Sequence, residues 1–529
     1  MNRVYFRCLL TLALVHLSTS DIYTSSKKIE DMVLLEEQTL EKLLVDVSRL
    51  GDDQARSYFS EFYQGRIIKV KARQRDVLLD YLKHPNGVYL TMKQFVADYK
   101  GIRSVLNTKD EITKDFSVVA TEDDLAGARK SFIRLQEVYG LEPRDMIRGN
   151  YLGYSGPALS VLDAFQVGQV AFSEGKLNSS ASWLEATLDL KRNSSSWSNE
   201  YPSEGQIIAL LGRAHLRMKH DDIAENLFRK SVILDPSNGD AFELRKELQT
   251  KPRVSENILN ENEKNFRSLC SLQNKLKTGK FDPRLVCKYS VASPPYNRFK
   301  QEVISISPYV CLYYQVITDD EGTHIIDFTR KKLDRGKTER GGASVRSESR
   351  TSELSFVYDR ESEVVQRMGQ KVAAITKLDT SQDPSGFPFT GEPFQVVNYG
   401  MGGHYDVHLD PFDGDARKNN LDVMENCGNR LATFLIYLNE VDVGGSTAFT
   451  SADLVVKPVK NMALFWYSFT PAGELENTTY HAACPVVIGH KWVTNKWIWT
   501  YGNTFKRRCG LTANATQYDI EQDMINGWV

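Results

Sequence analysis

The stretch V-V-N-Y-G-M-G-G-H-Y-D-V-H-L-D, at residues 396–410, restricts the fold and chemistry of this chain more than any other. It turns through three glycines and re-enters an extended pattern that carries His404, Asp406, His408 and Asp410. Side chains of a strand return to one face at every second residue, so two imidazoles and two carboxylates would share a face. Two histidines and one carboxylate form the donor set of a non-haem Fe(II) oxygenase with open coordination positions. The stretch therefore predicts part of such a site.

A further ligand can be sought among the nine histidines of the chain. His481 stands in T-Y-H-A-A-C-P-V-V-I-G-H-K-W, ten positions before Lys491, which lies in a tryptophan-rich strand pattern. A buried lysine is costly unless it meets an anion, and a dicarboxylate cosubstrate would supply one. The alternative is a structural metal site in a lectin-like sandwich, although such sites are normally closed by four protein ligands. The residues alone leave both H-x-D pairs open as partners of His481.

The chain has 529 residues, which is too long for one hydrophobic core and predicts several domains. Residues 1–20 follow the plan of a cleaved secretory signal peptide, because Arg3 and Arg7 precede a short apolar run. No later stretch is long and apolar enough to predict a membrane span. The net charge of −2 gives no reason to expect a nucleic-acid partner.

The cysteines and the N-x-S/T sequons fit a secreted chain. Beyond the predicted signal peptide the chain has an even number of cysteines, which predicts disulfides in an oxidising compartment, although six cysteines allow 15 full pairings. They are Cys270, Cys287, Cys311, Cys427, Cys484 and Cys509. Sequons, which predict glycosylation, begin at Asn178, Asn193, Asn477 and Asn514.

Helical periodicity dominates the first half of the chain. Residues 21–140 show three-four apolar spacing, which is typical of a helical bundle or of a self-association module. In residues 141–250, several side chains fall at tetratricopeptide spacings. This pattern predicts pairs of helices that form a peptide-binding surface, and the alternative is a set of helical hairpins that bind no ligand. The matching residues are Ile208, Leu211, Gly212, His215, Ala224, Phe228 and Pro236. Residues 251–300 are interpreted as a linker that is crosslinked by a local disulfide.

Strand patterns dominate residues 301–529, at 310–316, 394–399, 431–438, 461–467 and 491–499, with a helix at 361–376. Many short strands between glycine-rich turns indicate a β-sandwich or jelly roll. The predicted architecture is therefore α followed by β: a helical N-terminal domain, a tetratricopeptide-like domain and a C-terminal double-stranded β-helix.

Four C-terminal motifs resemble the catalytic domain of the collagen prolyl 4-hydroxylase alpha subunit. They are N-Y-G-M-G-G-H-Y-D-V-H-L-D, G-N-R-L-A-T-F-L-I-Y-L-N, G-G-S-T-A-F and H-A-A-C-P-V-V-I-G-H-K-W-V-T-N-K-W. The resemblance extends over nearly the whole mature chain. It implies dimerisation through 21–140, peptide-substrate binding by 141–250, catalysis by 301–529, and disulfides with the Cys270–Cys287 and Cys484–Cys509 spacings.

The resemblance also assigns the residues of the site. It implies that His408, Asp410 and His481 are the iron ligands and that His404 is a neighbour in a variable position. Lys491 would pair with the far carboxylate of 2-oxoglutarate. The other implied contacts are Tyr399, Thr433 and Trp497 in the cosubstrate pocket and Tyr405 near the target proline.

The implied reaction is the hydroxylation of peptidyl proline at C4, in X-Pro-Gly-type sequences of secretory-pathway proteins. It uses Fe(II), O₂ and 2-oxoglutarate, releases succinate and CO₂, and relies on ascorbate to reduce iron that has become oxidised. The resemblance further implies residence in the endoplasmic reticulum lumen and an α₂β₂ tetramer with protein disulfide isomerase as the beta subunit.

The chain departs from the family pattern at two places. Trp499 stands where the family typically has a histidine near the cosubstrate, so a poorly active or inactive peptide-binding subunit is the alternative function. In the repeat domain, Phe172, Arg213 and Leu216 replace a tyrosine-rich groove. This predicts weak binding of plain Pro-Pro-Gly repeats, and a groove that prefers an acidic residue opposite Arg213.

Overall fold

The computed structural model describes residues 22–49, 53–106, 119–193, 202–250, 260–271, 282–291, 298–335, 337–340, 343–346, 349–382, 390–510, 512 and 514–525. The predicted signal peptide, at residues 1–20, lies outside them. The described chain forms two compact units. A helical unit comprises residues 20–260 and 487–489, and a strand-rich unit comprises residues 261–486 and 490–529. Within the described ranges, no helix combines the length and apolar character needed to cross a bilayer.

The helical unit contains twelve described helices, with one short hairpin of strands β1 (Asn150–Tyr151) and β2 (Tyr154–Ser155). Capping boxes start several of the helices: Thr121 with Asp124, Ser160 with Asp163, and Ser203 with Gln206. The helices are α1 (Ser26–Leu34), α2 (Glu36–Ser48), α3 (Asp53–Lys71), α4 (Arg75–Tyr81), α5 (Pro85–Leu106), α6 (Glu122–Tyr139), α7 (Pro143–Arg148), α8 (Val161–Ser173), α9 (Leu177–Asn193), α10 (Glu204–Arg217), α11 (Asp221–Leu234) and α12 (Gly239–Thr250).

Helices α8 to α12 pack each against the next, as the tetratricopeptide spacing predicts. Gly212 allows the close approach within this stack, because a Cβ atom there would lie 2.6 Å from Leu244 Cδ2 and 3.3 Å from Leu227 Cβ. A dimerisation role for residues 21–140 stays a prediction.

The strand-rich unit is built on two antiparallel sheets. The first has the order β3-β4-β5-β17-β13-β20-β11-β10-β6, and the second has the order β16-β15-β18-β12-β9. The strands of the first sheet are β3 (Cys287–Val291), β4 (Arg298–Ile306), β5 (Tyr309–Tyr314), β6 (Asp334–Arg335), β10 (Glu353–Val357), β11 (Phe394–Tyr399), β13 (Arg430–Tyr437), β17 (Ala463–Tyr467) and β20 (Lys491–Trp499). Those of the second are β9 (Arg350–Thr351), β12 (His404–His408), β15 (Thr447–Phe449), β16 (Leu454–Val456) and β18 (His481–Ala483).

Shorter elements complete this unit. They are the hairpin of β7 (Lys337–Arg340) and β8 (Ala343–Arg346), the strand β14 (Val443–Gly444), and the helices α13 (Glu261–Ser271), α14 (Asp319–Thr329), α15 (Glu363–Thr376), α16 (Gly414–Asn419), α17 (Leu421–Cys427) and α18 (Gln517–Ile525). The strand β19 (Val486–Ile488) begins in this unit, and its other two residues are assigned to the helical unit. The predicted helix at 361–376 and the five predicted strand regions are all present.

The larger sheet is covered on both faces. Val397, Leu435 and Val493 of the larger sheet share one core cluster with Phe449 and Ala483 of the smaller sheet, so the two sheets enclose a core as in a jelly roll. On the opposite face, α14 and α15 pack apolar side chains against the sheet. The α-then-β architecture and the jelly roll are confirmed.

The predicted bounds of the linker and the predicted pairing of the cysteines are wrong, although Cys270 and Cys484 are both disulfide-bonded. Residues 261–271, which fall within the predicted linker, form α13 of the strand-rich unit, where this helix packs against β12, β15 and β16. Cys270 is bonded to Cys484, with Cα atoms 5.6 Å apart, while Cys287 and Cys509 are exposed free thiols. Packing of α13 on the smaller sheet brings Cys270 to Cys484 across 214 positions of sequence, which a local spacing pattern cannot show.

Candidate iron and cosubstrate site

The glycine turn at 400–403 aims β12 at the space between the sheets. Gly402 has φ +63°, and a Cβ atom on Gly403 would lie 2.9 Å from the carbonyl oxygen of Gly400. Neither position tolerates an ordinary side chain without strain. The strand that follows ends at His408, which pairs directly with His481 at the start of β18. Sheet register therefore brings together two histidines that lie 73 positions apart in sequence.

His408, Asp410 and His481 form a cluster in which one ligand atom from each lies within 4.8 Å of the others. His408 Nε2 is 3.9 Å from Asp410 Oδ1, and His481 Nε2 is 3.7 Å from Asp410 Oδ2. Within the part of the chain that the structure describes, no other group of three or more histidine, cysteine and carboxylate donors is arranged for a metal ion. The donor set is the two-histidine, one-carboxylate set that suits Fe(II) with open positions.

Backbone carbonyls set the tautomer of both histidines. His408 Nδ1–H donates to the carbonyl of Asp406 at 2.8 Å, and His481 Nδ1–H donates to that of Thr479 at 3.0 Å. Each ring therefore presents the lone pair of Nε2 to the centre of the cluster. Burial, and then the neighbouring His481, lower the pKa of His408 to about 3, which keeps its imidazole neutral and able to bind a metal.

Asp410 is held as an oriented carboxylate. Burial alone would raise its pKa, but His481, His408 and the hydroxyl of Thr433 together lower it. Thr433 Oγ1 donates to Asp410 Oδ2 at 2.5 Å. Arg430 donates to the carbonyl oxygen of Asp410 at 3.0 Å and is itself held by both carboxylate oxygens of Glu392 at 2.6 and 3.0 Å. The carboxylate therefore has a fixed direction before any metal binds.

Lys491 supplies a buried positive charge to the same pocket. It is 1% exposed, and its Nζ lies 5.5 Å from the ring centre of Tyr399 and 5.6 Å from that of Tyr437. No carboxylate among the described residues forms an ion pair with it. Burial lowers its pKa to about 7. The pocket therefore offers an ammonium group that lacks an anion.

The pocket lies between the two sheets, and the empty space in it and at its mouth, open solvent included, is about 450 Å³. Its lining includes every residue predicted for the metal and the cosubstrate, together with Tyr405; these are Tyr399, Tyr405, His408, Asp410, Thr433, His481, Lys491 and Trp497. The indole Nε1 of Trp497 is buried and has no hydrogen-bond partner among the described residues, and the same holds for Oδ1 of Asn495. A dicarboxylate beside the metal would satisfy the ammonium and the indole N–H, so the residues fit Fe(II) with 2-oxoglutarate.

Aromatic and basic side chains form the wall beside His408. The ring of Tyr405 stacks on His408 with centroids 3.7 Å apart, and the guanidinium of Arg350 lies 4.6 Å from the Tyr405 ring centre. Arg350 also donates to Gln395 Oε1 at 2.9 Å. Trp466 contacts the other ligand, His481, with ring centres 4.8 Å apart.

Two family descriptions match the chain. Residues 25–153 match the prolyl 4-hydroxylase alpha-subunit N-terminal region, and residues 394–499 match the 2OG-Fe(II) oxygenase superfamily. The chain is 32% identical over 465 residues to prolyl 4-hydroxylase subunit alpha-3 of Bos taurus, which covers 81% of this chain and 84% of that protein. It is 28% identical over 542 residues to prolyl 4-hydroxylase subunit alpha-1 of Caenorhabditis elegans, and this match covers 96% of this chain and 93% of that protein.

The chain belongs to the prolyl 4-hydroxylase alpha-subunit family. Among solved structures, it is similar to a viral collagen prolyl hydroxylase from Paramecium bursaria Chlorella virus-1, with 26% identity and a TM-score of 0.28, over 36% of this chain and 95% of that chain. The predicted family and the predicted class of enzyme, an Fe(II)- and 2-oxoglutarate-dependent oxygenase, are confirmed.

The two H-x-D pairs of this prolyl 4-hydroxylase family member separate in the structure. His404 Nε2 lies 3.2 Å from Asp406 Oδ1, and the Asp406 side chain is 55% exposed. Neither residue is among those that line the pocket. Trp499 is also absent from that lining, and its ring packs 6.0 Å from that of Phe412.

The predicted groove residues are engaged inside the helical unit. Leu216 is 2% exposed and lies in a core cluster with Ala224 and Leu244, so its prediction as a peptide contact is wrong. Arg213 donates to Glu247 Oε1 at 2.7 Å and lies over the ring of Phe172, with 5.0 Å from Cζ to the ring centre. The acidic residue predicted opposite Arg213 was expected to belong to a bound peptide. In the structure, Glu247 of the same chain takes that position. A substrate role for Phe172 and Arg213 stays a prediction.

The sequence reasoning missed Arg350, Arg430 and Asn495. Asn495 could have been found, because it lies on the strand face shared by Lys491 and Trp497. Arg430 stands in the G-N-R-L-A-T-F motif, but its contact with Asp410 depends on the fold. Arg350 lies outside the predicted strands and motifs, so no sequence signal marks it as a pocket residue. All four sequon asparagines are exposed.

Proposed function

We propose that this chain is a catalytic prolyl 4-hydroxylase alpha subunit that hydroxylates C4 of peptidyl proline, of the X-Pro-Gly type, in proteins of the secretory pathway. The reaction consumes O₂ and 2-oxoglutarate and releases succinate and CO₂. The observation that carries the proposal is that one pocket combines the His408, Asp410 and His481 cluster with the buried ammonium of Lys491.

Each pocket residue has a role in this proposal. His408 and His481 hold Fe(II) through Nε2, and Asp410 holds it through a carboxylate oxygen. Iron with 2-oxoglutarate and O₂ supplies the oxidising power to convert a C–H bond into C–OH. Lys491 pairs with the far carboxylate of the cosubstrate, and Trp497 donates its free indole N–H to it. Thr433 and Tyr399 form the pocket walls, and Thr433 also keeps Asp410 in place.

Substrate binding is proposed at the wall formed by Tyr405 and Arg350. A proline ring packs favourably against an aromatic face, and an arginine can donate to a peptide carbonyl. The Tyr405 ring lies directly against His408, so a proline that contacts Tyr405 would have its ring beside the metal.

Family membership supports the proposed setting. The chain would assemble with protein disulfide isomerase in an α₂β₂ tetramer, reside in the endoplasmic reticulum lumen and use ascorbate as reductant. Trp499 motivated the alternative of a poorly active subunit. Its packing against Phe412, away from the lining of the pocket, gives no support to that alternative.

The proposal is tested by following hydroxyproline and succinate together, with the purified complex and a proline-containing peptide library. His481→Ala should abolish both products, because one of three iron ligands is lost. His404→Ala is the matched control and should retain turnover, since His404 lies outside the pocket lining. No hydroxyproline from any peptide, with iron bound, would refute the proposal. Loss of activity in His404→Ala with retention in His481→Ala would refute the ligand assignment.

A further inference from the structure

The turn between α10 and α11 brings two histidines together, far in sequence from the iron ligands. α10 ends at Arg217, Met218 is its C-cap, and Lys219 adopts the left-handed conformation with φ +68°. His220 is the N-cap of α11, and its backbone N–H donates to the carbonyl of His215 at 2.9 Å. The side chain of His220 makes no capping hydrogen bond. Its ring is turned toward His215 instead.

The two rings face each other through the same nitrogen. His215 Nδ1 and His220 Nδ1 are 3.2 Å apart, with ring centres 5.5 Å apart and planes inclined by 40°. Neither ring has another hydrogen-bond partner in the described chain. Two nitrogens bound to one zinc ion at about 2.05 Å and a tetrahedral angle would be about 3.3 Å apart. The nitrogen spacing is therefore close to that of two ligands on one transition-metal ion. The rings now face each other nearly end to end, so each must tilt to bring its Nδ1 lone pair onto a shared ion.

We propose that His215 and His220 form a second metal site, which binds a borderline divalent transition cation such as Zn²⁺ through both Nδ1 atoms. Imidazole nitrogen suits zinc, copper and nickel, whereas magnesium and calcium prefer oxygen ligands. No third histidine, cysteine or carboxylate donor completes the set among the described residues, so water fills the other positions and binding is weaker than at a site closed by four protein ligands.

Proton balance and access both allow binding. In the metal-free pair one Nδ1–H donates to the other Nδ1, so on binding that ring carries its single proton on Nε2 instead. No net proton is released. His220 is exposed and His215 is partly buried, so a hydrated ion can reach the pair. Burial, and then His220, lower the pKa of His215, which favours the neutral ring that a metal requires.

Metal binding is expected to crosslink the end of α10 to the start of α11, because His215 and His220 would bind the same ion. A ligand that binds the folded state and not the unfolded state stabilises it in proportion to RT ln(1 + [L]/Kd). Zinc should therefore raise the unfolding temperature of the helical unit.

The test uses the tag-free full-length chain with His408→Ala and His481→Ala, in which the iron cluster cannot bind zinc. Calorimetric titration with Zn²⁺ should find one site per chain. His220→Gln should weaken that binding by at least about tenfold, or about 1.4 kcal/mol. The matched control, His324→Gln, should leave it unchanged, because His324 lies in the other unit. No zinc uptake, or uptake that is insensitive to His220→Gln, would overturn the proposal.

A spectroscopic measurement keeps the test decisive if His220→Gln does not fold. The electron paramagnetic resonance spectrum of Cu²⁺, added at one equivalent to the His408→Ala, His481→Ala chain, should show coupling to two imidazole nitrogens. Coupling to fewer than two would also overturn the proposal.

Discussion

Lys491 is a residue whose burial opposes folding. Its ammonium is desolvated by the pocket and lies 5.5 Å from the ring centre of Tyr399 and 5.6 Å from that of Tyr437, and burial lowers its pKa from 10.5 to about 7. The unfolded chain therefore binds more protons than the folded chain between these two pH values. The unfavourable contribution is complete below pH 7 and disappears as the pH rises toward 10.5. Such a residue is expected where a ligand, rather than the fold, requires the charge.

We predict that Lys491→Met stabilises the metal-free protein while it abolishes 2-oxoglutarate binding. The free energy of unfolding at pH 7 should rise by a few kcal/mol, because one pKa unit corresponds to about 1.4 kcal/mol. Denaturant unfolding at pH 7 and pH 10 measures the effect, which should be smaller at pH 10. Calorimetric titration with 2-oxoglutarate measures the loss of binding.

Lys496 provides the control for this prediction, because it is buried on the same strand. Its Nζ lies 3.5 Å from Asp359 Oδ1, so it has the carboxylate partner that Lys491 lacks. Lys496→Met should destabilise the protein, since Asp359 would lose its buried counter-charge. If both substitutions shift stability in the same direction, the lack of a carboxylate partner does not explain the effect of Lys491→Met on stability.

At the scale of elements, α13 supports the sheet that carries both iron-ligand histidines. Phe266, Leu269 and Cys270 are its buried residues, and the helix packs against β12 and β15. The disulfide from Cys270 reaches Cys484, three residues after His481. The position of β18, and with it His481, is therefore tied covalently to α13.

We predict that Cys270→Ser lowers both stability and metal affinity. The loss of unfolding free energy should be about 2–5 kcal/mol, which is typical for a native disulfide. Affinity for Fe(II) should fall because β18 is no longer held to α13. Denaturant unfolding and metal titration measure the two effects. Cys287→Ser is the matched control and should change little, since Cys287 is an exposed free thiol. Equal effects of the two substitutions would instead support the Cys270–Cys287 pairing.

The elements themselves could be predicted, because strand alternation and tetratricopeptide spacing are local signals. The metal cluster could also be predicted, since His408, at the end of β12, and Asp410, two residues later, stand within a distinctive motif. Contacts between distant segments could not. The Cys270–Cys484 bond depends on how α13 packs, and the burial of Leu216 depends on α12, which supplies Leu244. Resemblance to the tyrosine-rich groove placed Leu216 on a surface, whereas helix packing places it in the core.

At the scale of the molecule, the two compact units contain different clusters of buried charged groups. The iron and cosubstrate pocket lies in the strand-rich unit. The Phe172, Arg213, Arg217 and Glu247 cluster lies in the helical unit, where Glu247 Oε1 accepts from Arg213 at 2.7 Å and from Arg217 at 3.0 Å. Burial alone would raise the pKa of Glu247, but both arginines lower it, which keeps the carboxylate charged.

We predict that Glu247→Ala destabilises the helical unit and leaves the catalytic step intact. Glu247 is 9% exposed, and its removal would leave two guanidinium groups against Phe172 without the carboxylate that accepts their hydrogen bonds, at a cost of about 2–4 kcal/mol. The kcat for a short peptide with a single proline should be unchanged, because no pocket residue is altered. The KM for a long proline-rich peptide should rise if the helical unit binds it. Thermal unfolding and steady-state kinetics with both peptides separate these effects.

Glu225→Ala is the control within the same unit, since the Glu225 side chain is 56% exposed and pairs with Arg229 on the surface of α11. An exposed pair of this kind contributes at most about 1 kcal/mol, so stability and both kinetic constants should remain close to those of the unmodified chain. The prediction would be contradicted if Glu247→Ala lowered kcat for the short peptide at a temperature where the protein is folded. It would require the buried cluster to act on the iron pocket, because a loss of peptide affinity alone raises KM and leaves kcat unchanged.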